Sequence, residues 1–527
     1  MSRKISARFD ETEIDAIFAD VDQCRLPGAA IGIAIDGVPV YRKGLGLANM
    51  ELPTLLTPSM RMRIGSTTKH FTALAYMLLC EDGLAGIDDE IGTHLPDLPT
   101  SIRRATMRQL MTHTSGIRDP LSITILTNGV NRPVTDQDML AYYLTIDDVD
   151  FAPGAHWSYN HGGYCLLSAA IEAINRKPLE DVLRERIFEP VGMFDTMLRR
   201  WDSDFVSNSA TLHFQDEGGS WSRTYMGLEL SGGGGIVSTM DDMLRWLRHM
   251  DSPTVGSPAT WALMREPYRL TGDRSTGYGL GLMSGTYRGM DVLHHAGAVM
   301  GGNSQMIKVP AARLDISIAV NRGDLSAALL ANQIIDACVE GLDPVPAAGS
   351  PEKHTGTFVS KASGRVITLS ASTDLHLMSV DGRAAVPVSP DAGSVLKFPV
   401  ILDFLKQSAR VDGDRLFFSD FGTEDVLTAI DTDITARLDR RAGTYRSDAV
   451  DTTICIADRE DGPRAAMRGR HGSADYRLEP ITADFWRIEN PAMPMMSAII
   501  TFDADGKGLA IDTTWARKLR FVKTERL

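Results

Sequence analysis

The sequence has little of what would tie it to a metal, a disulfide framework or a nucleic acid. Its five cysteines, Cys24, Cys80, Cys165, Cys338 and Cys455, are far apart and odd in number. None forms a Cys-x-x-Cys pair, so a zinc ribbon or dithiol motif is not expected, and buried free thiols in a reducing compartment fit best. The 12 histidines include no His-Glu-x-x-His, which argues against a zinc hydrolase. Basic residues are outnumbered, 54 Lys and Arg against 68 Asp and Glu, giving a net charge of −14. Nucleic acids and anionic membranes recruit clustered positive charge, so neither is an expected partner. The longest apolar stretch, Ala73 to Cys80, falls well short of the ~20 residues of a spanning helix. Asp10, Glu11, Glu13 and Asp15 interrupt the segment where a signal peptide needs its apolar core. These absences point to a cytoplasmic protein without a cofactor.

What is present describes a multidomain globular chain. Its 527 residues exceed one core, and 43% hydrophobic with 23% charged residues is ordinary globular composition. Ala29 to Tyr41 places apolar runs on either side of Asp36-Gly37, a hairpin turn signal. A second strand pair is expected at Gln305 to Val309 and Leu314 to Asn321, turning at Pro310. The stretch between the two pairs reads as largely helical, so both pairs are expected in one antiparallel sheet. After a helical segment, Ala327 to Cys338, a run rich in Pro, Ala and Gly marks a linker near residues 341–352.

Beyond the linker the pattern shortens to alternating strands, and it repeats. Gly356-Thr357-Phe358-Val359-Ser360 recurs as Gly443-Thr444-Tyr445-Arg446-Ser447, and Val386-Pro387-Val388 matches Glu479-Pro480-Ile481. The second copy then carries about six extra residues between the matched segments. Two small antiparallel β-barrels account for the repeat. The expected domains are 1–340, 353–436 and 437–527.

The chemistry concentrates in Ile64-Gly65-Ser66-Thr67-Thr68-Lys69-His70-Phe71. Leu74, Met77 and Leu78 continue it with the spacing of a buried helix face. Residues three apart share a helix face, so the Lys69 amine can reach the Ser66 hydroxyl. A serine needs such a neighbour, because its hydroxyl is a weak nucleophile without an adjacent base. A lone Ser-x-x-Lys is common on solvated helices, and its company decides the matter. Leu110 to Ile117 contains Thr112-His113-Thr114-Ser115-Gly116, and Trp157-Ser158-Tyr159-Asn160-His161-Gly162 leads into a helix. Gly232 to Gly235 and Tyr278-Gly279-Leu280-Gly281 follow, then His294-His295-Ala296-Gly297-Ala298 entering a strand. The Gly277, Gly279, Gly281 series has no following helix pattern and is not a nucleotide loop.

This order resembles the penicillin-recognising serine hydrolases of the class C β-lactamase and DD-carboxypeptidase type, over roughly residues 20–335. The resemblance implies an α/β (α+β) β-lactamase/transpeptidase-like catalytic domain followed by two antiparallel, lipocalin-like β-barrels. It implies catalytic roles for Ser66 and Lys69, for Tyr159 in the Tyr-x-Asn position, and for His295 in the third motif. The amides of Ser66 and Ala298 would form the oxyanion hole. Two departures matter. His161 stands where Tyr-x-Asn has Asn, and either orients Lys69 or fills space. His295 replaces the Lys that grips substrate carboxylates, which weakens a β-lactamase or carboxypeptidase reading. His-x-Gly is the pattern of D-aminopeptidases and related amidases and esterases of the family. In the D-aminopeptidases a loop from the last domain shapes the amine subsite. Residues 471–481 are the matching stretch, with Asp475 as the carboxylate expected to meet a substrate ammonium. His113 and His294 read as structural. The expected substrate is a small peptide or amide with a free N-terminal D-residue, and a homodimer is compatible. Esterase or peptidase action on linear D-residue-containing peptides, or a catalytically silent binding relative, are the alternatives.

Overall fold

A computed structural model describes residues 5–129, 133–216, 218–345, 354–371, 376–383, 385–390, 395–398, 406–490 and 497–524 of the chain. A six-stranded antiparallel sheet forms the frame of the first part. Its strands are β1 (Ala29–Ile35), β2 (Val38–Leu45), β3 (Met283–Tyr287), β4 (Met290–Val299), β5 (Gly302–Val309) and β6 (Leu314–Val320). Their spatial order is β3-β4-β5-β6-β1-β2, so the two predicted strand pairs do share one sheet. Asp36 and Gly37 turn the β1–β2 hairpin with φ of 55° and 71°, the left-handed conformation that a two-residue turn of matching twist requires.

Helices cover both faces. The central one is α1 (Lys69–Glu81), buried at every position from Lys69 to Leu79. A helix apolar all round belongs in the middle of a domain, and α1 sits there among Leu110, Leu167, Leu247 and Leu282. Around it stand α2 (Pro120–Asn128), α3 (Asp136–Tyr143), α4 (His161–Asn175) and α5 (Met240–Asp251), while α6 (Ala327–Cys338) covers the opposite sheet face.

Strands Gly356–Val359 through Thr423–Ile430 close into one eight-stranded barrel with consecutive strand order, and Gly443–Ser447 through Leu519–Lys523 close into a second. The repeat has a structural meaning: Gly356–Val359 and Gly443–Ser447 are each the first strand of a barrel, and Val386–Pro390 and Ser473–Pro480 are each the fourth. Tyr445, Ile454, Met467, Trp486 and Ile500 fill the second barrel, as side chains must in a closed sheet of this size. The linker expected near 341–352 falls largely outside the described residues.

The barrels are built into the catalytic part. The apolar cluster of the second barrel continues through Ile123, Leu126 and Tyr142 of α2 and α3. The loop after its seventh strand, Thr513 to Lys518, acts as a keystone. The Trp515 carbonyl accepts from the Asp119 amide at 3.1 Å, and the Arg517 carbonyl accepts from Arg118 Nε at 2.9 Å. The Arg517 guanidinium pairs with Asp381 of the first barrel. Cys165 and Cys338 are buried as expected, but Cys24 and Cys455 are exposed and Cys80 is half-buried; all five are free. The exposed pair corrects the reading that every thiol is interior. Among the described residues no helix is long and apolar enough to cross a membrane.

Candidate active site

Ser66 stands on a 3-10 turn, Gly65–Thr68, that runs directly into α1. In such a turn residues three apart eclipse one another, which is tighter than the α-helical placement the spacing suggests. The Lys69 ammonium nitrogen lies 3.3 Å from Ser66 Oγ. Gly65 takes φ of 51°, and a Cβ there would meet the Ala298 amide nitrogen at 2.8 Å. Only glycine lets the nucleophile turn approach β4 this closely, with Gly65 against the Ala298 backbone. β3 pairs with β4 only as far as Met283 opposite His294, leaving His295 to Val299 without a partner strand on that edge among the described residues.

Lys69 is fully buried. Its Nζ donates to the Gly233 carbonyl at 2.6 Å and lies 4.7 Å from the Tyr159 ring centroid. Burial pushes its pKa down to about 7, only partly offset by Cys165 and Asp119 nearby. Burial raises the Tyr159 hydroxyl, against the opposing effect of its hydrogen bond with Ser66, so it stays protonated at neutral pH. Ser66, Lys69 and Tyr159 are therefore brought together.

His295 is also at the site, and its hydrogen-bond partners are Ala296 and Tyr278. Its Nδ1 lies 2.6 Å from the Ala296 carbonyl, which can only accept, so Nδ1 carries the proton. Nε2 then accepts from the Tyr278 hydroxyl at 2.8 Å rather than from Tyr159. Burial, with Lys69 as the next contribution, lowers its pKa to about 3, and the ring is neutral in use. His113 packs 4.3 Å from the Tyr159 ring and its Nδ1 accepts from the Asn160 amide, which makes it a support of the motif loop. His294 is held by Gln305.

His161 opens α4. Its ring lies against Gly233, where a Cβ would come within 2.6 Å of Cε1. The Lys69 acceptor is the Gly233 carbonyl, and the His161 ring packs against that same glycine. Sequence reading noted the glycine run without its purpose. It also missed Asp119, a fully buried carboxylate between two helix starts. Asp119 Oδ1 accepts from the His161 amide at 2.8 Å, and Oδ2 accepts from the Ser122 amide at 2.9 Å and its hydroxyl at 2.8 Å. Helix N-termini leave unpaired amides that a carboxylate satisfies well, and here one group fixes both α2 and α4.

The expected pocket-capping stretch is corrected. Residues 473–480 form a strand, not a loop. Strand alternation turns Tyr476 and Leu478 into the barrel and Asp475 outward. Asp475 pairs with Arg464 at 2.6 Å and Arg459 at 2.8 Å, so its charge is already matched within the barrel. The hairpin tip does dock on the catalytic part, through the His471 amide on Asn128 Oδ1 at 2.8 Å. That is the far end of α2, about 13 Å along the helix from Asp119. The segment that reaches the site is the keystone loop: the Trp515 ring centroid lies 5.5 Å from that of Tyr159. The first barrel contributes Phe421, stacked on Trp157 at 3.5 Å. Asp475→Ala should accordingly leave kcat/KM within about two- to threefold for free-amine and blocked substrates alike, as for other surface changes; steady-state kinetics on a matched pair of substrates checks this.

Comparison with known proteins agrees with this geometry. Residues 14–338 match the family described as Beta-lactamase. The chain is 26% identical over 523 residues to a D-aminopeptidase of Brucella anthropi, covering 95% of this chain and 96% of that one. A D-aminopeptidase of Brucella melitensis is 26% identical over 468 residues, with 88% and 87% covered. Among solved structures, the octameric penicillin-binding protein homologue from Pyrococcus abyssi superposes with a TM-score of 0.59 at 19% identity, over 89% of this chain and all of that one. The D-amino acid amidase from Ochrobactrum anthropi, complexed with L-phenylalanine, gives 0.53 at 21% identity, over 62% of this chain and 98% of its own. The structural likenesses carry the fold, and the match over residues 14–338 carries the family: the chain belongs to the Beta-lactamase family of serine hydrolase folds.

Proposed function

We propose that the chain is a D-stereospecific serine hydrolase that releases N-terminal D-residues from short peptides or amides through an acyl-Ser66 intermediate. The observation that carries this is the buried Lys69 amine 3.3 Å from Ser66 Oγ, with burial lowering its pKa to about 7. Lys69 accepts the Ser66 proton as Oγ bonds to the substrate carbonyl carbon. The Ser66 and Ala298 amides receive the developing oxyanion. The C–N bond breaks as the Tyr159 hydroxyl gives the leaving amine a proton and regains one from Lys69, which returns to the neutral amine. Water then attacks the acyl carbon while Lys69 takes its proton, and as the bond to Oγ breaks that proton passes to Ser66 Oγ, releasing the acid product. Likeness to D-aminopeptidases over nearly the whole chain supports the stereochemical part of the reading. Hydrolysis of D-alanine p-nitroanilide, its L-enantiomer and p-nitrophenyl butyrate tests it. Turnover of the D-anilide well above the other two is expected, and equal rates on D and L would overturn it.

One observation favours esterase or blocked-peptide hydrolysis as the second reading. Asp475 is matched by two arginines, and Asp119, the carboxylate that acts on Lys69, is engaged by backbone amides. Neither is free to receive a substrate ammonium. The same assay separates the two readings.

The aromatic flank sets a further expectation. Trp515 packs beside Tyr159, and aromatic contacts of this kind contribute about 0.5–1.5 kcal/mol beyond area burial. Trp515→Ala should lower kcat/KM by about three- to tenfold while leaving the pH profile in place. A shifted profile would mean that Trp515 acts on Lys69 instead.

A further inference from the structure

A second cluster of reactive side chains lies behind the site, and none of its groups exchanges a proton or a bond in the chemistry above. Asp136 is the first residue of α3, and His161 and Cys165 stand one turn apart at the start of α4. Residues four apart on a helix face the same way, so the imidazole and the thiol converge. One ligand atom from each of the three residues lies within 4.8 Å of the others. Cys165 Sγ donates to Asp136 Oδ1 at 3.6 Å. The side chains are sequestered: Asp136 is 9% exposed, His161 5% and Cys165 1%.

The thiol–carboxylate hydrogen bond explains two of the three groups as ordinary packing. It does not explain the third. His161 Nε2 is buried without a hydrogen-bond partner, as are ring nitrogens of His70, His113, His249 and His471, but of these histidines only His161 lies among the clustered donor groups. A cation supplies what the nitrogen lacks. Sulfur, nitrogen and oxygen donors together suit zinc-type ions. With metal–ligand bonds of about 2.0–2.3 Å, tetrahedral donors sit roughly 3.3–3.6 Å apart. The sulfur and the carboxylate are already at that separation, and the imidazole needs to close by no more than about 1.5 Å. Thiolate and carboxylate together balance a dication, so the loaded site carries no net charge into the interior.

We propose that Asp136, His161 and Cys165 form a binding site for a zinc-type divalent cation, and that its occupancy switches hydrolysis off through His161. The ion displaces the Cys165 thiol proton: M²⁺ and Cys–SH give M–S–Cys and one H⁺, with His161 as neutral donor and Asp136 as anionic donor. Coordination fixes the His161 ring in the site behind Gly233. The ring then no longer rests freely on the backbone whose carbonyl receives Lys69.

The test uses the full chain carrying Cys24→Ser and Cys455→Ser, since those two thiols are exposed and would compete. Titration with Co²⁺ alone should produce a thiolate-to-cobalt charge-transfer band that saturates at one ion per chain, with release of about one proton. Zn²⁺ should displace the cobalt and inhibit hydrolysis, and EDTA should restore the rate. Cys165→Ser should abolish the band and raise the inhibitory Zn²⁺ concentration by about a hundredfold or more. Asp136→Asn, which keeps the side-chain shape, should raise that concentration by at least about tenfold, and it serves if the serine variant does not fold. A band that survives Cys165→Ser, no band at all, or Zn²⁺ inhibition unchanged in both variants overturns the proposal. The cobalt readout needs no turnover, so it stands apart from the substrate assignment.

Discussion

Ser66→Ala abolishes turnover, by on the order of 10⁴-fold or more in kcat/KM, and leaves the fold intact. The hydroxyl is the atom toward which the site converges: Lys69 approaches to 3.3 Å, Tyr159 hydrogen-bonds it, and Gly65 admits the Ala298 backbone beside it. Removing one oxygen from a half-buried side chain creates no cavity; Lys69 keeps its bond to the Gly233 carbonyl, and only the Tyr159 hydroxyl loses its bond to Ser66. An unchanged melting temperature is therefore expected alongside the lost activity. Mass spectrometry of the quenched parent enzyme should show an acyl adduct on the Ser66 peptide, absent from the variant. Residual activity within tenfold of the parent would remove Ser66 from the mechanism.

Lys69→Met produces the second large effect, and in two directions. Activity falls by a comparable factor, because among the described residues the other group hydrogen-bonded to Ser66, the Tyr159 hydroxyl, stays protonated and cannot take the serine proton. In the parent the acidic limb of kcat/KM should follow a group near pH 7, rising about tenfold per pH unit below it and levelling above, as the Lys69 amine loses its proton. Stability moves the other way. The folded pKa of about 7 lies below the ordinary 10.5, so between those values the unfolded chain binds more protons than the folded one. Stability from this group thus rises with pH across the window, and below about pH 7 the full penalty of charging a buried amine remains. Methionine carries no such penalty. The variant should be more stable than the parent by a few kcal/mol at pH 6, with the gap closing toward pH 10. Thermal melts at the two pH values read this directly. A variant no more stable at pH 6 than at pH 10, relative to the parent, would mean that Lys69 is not held near neutrality.

The parts of the molecule legible in the sequence are those written by local geometry. Three-residue spacing places Lys69 over Ser66 whatever surrounds them. Asp36-Gly37 declares its own turn, and the repeated Gly-Thr-aromatic strand announces two copies of one barrel. What escaped depends on contacts that carry no local mark. A backbone acceptor such as the Gly233 carbonyl has no side-chain signature; the signal was the missing side chains around it, since a Cβ at Gly232, Gly233 or Gly235 would come within 2.6 Å of a neighbour. Asp119 reads in sequence as a simple helix cap before Pro120, and only the fold brings a second helix start to its other oxygen. Asp475 failed for a related reason. A carboxylate on a strand faces in or out according to a register of one residue, and the spacing of a repeat does not specify that register. Trp515 lies nearly four hundred residues from Asp119 in sequence, and no spacing rule connects them.

The keystone loop gives the molecule a timetable. Domains fold as units during synthesis, the N-terminal ones first, while the chain lengthens at about 5–20 residues per second. Ser66, Lys69 and Tyr159 are all made early, yet the carbonyl that receives the Asp119 amide and the ring that flanks Tyr159 come from residue 515. The nascent catalytic sheet, complete at Val320, therefore waits about 10–40 s for its last wall. During that interval Ile123, Leu126 and Tyr142, which end in the core of the second barrel, face solvent or a chaperone. The catalytic part thus carries a surface whose apolar cover, the second barrel, is translated last, and the rate at which the ribosome reaches it governs how long a half-built hydrolase is exposed.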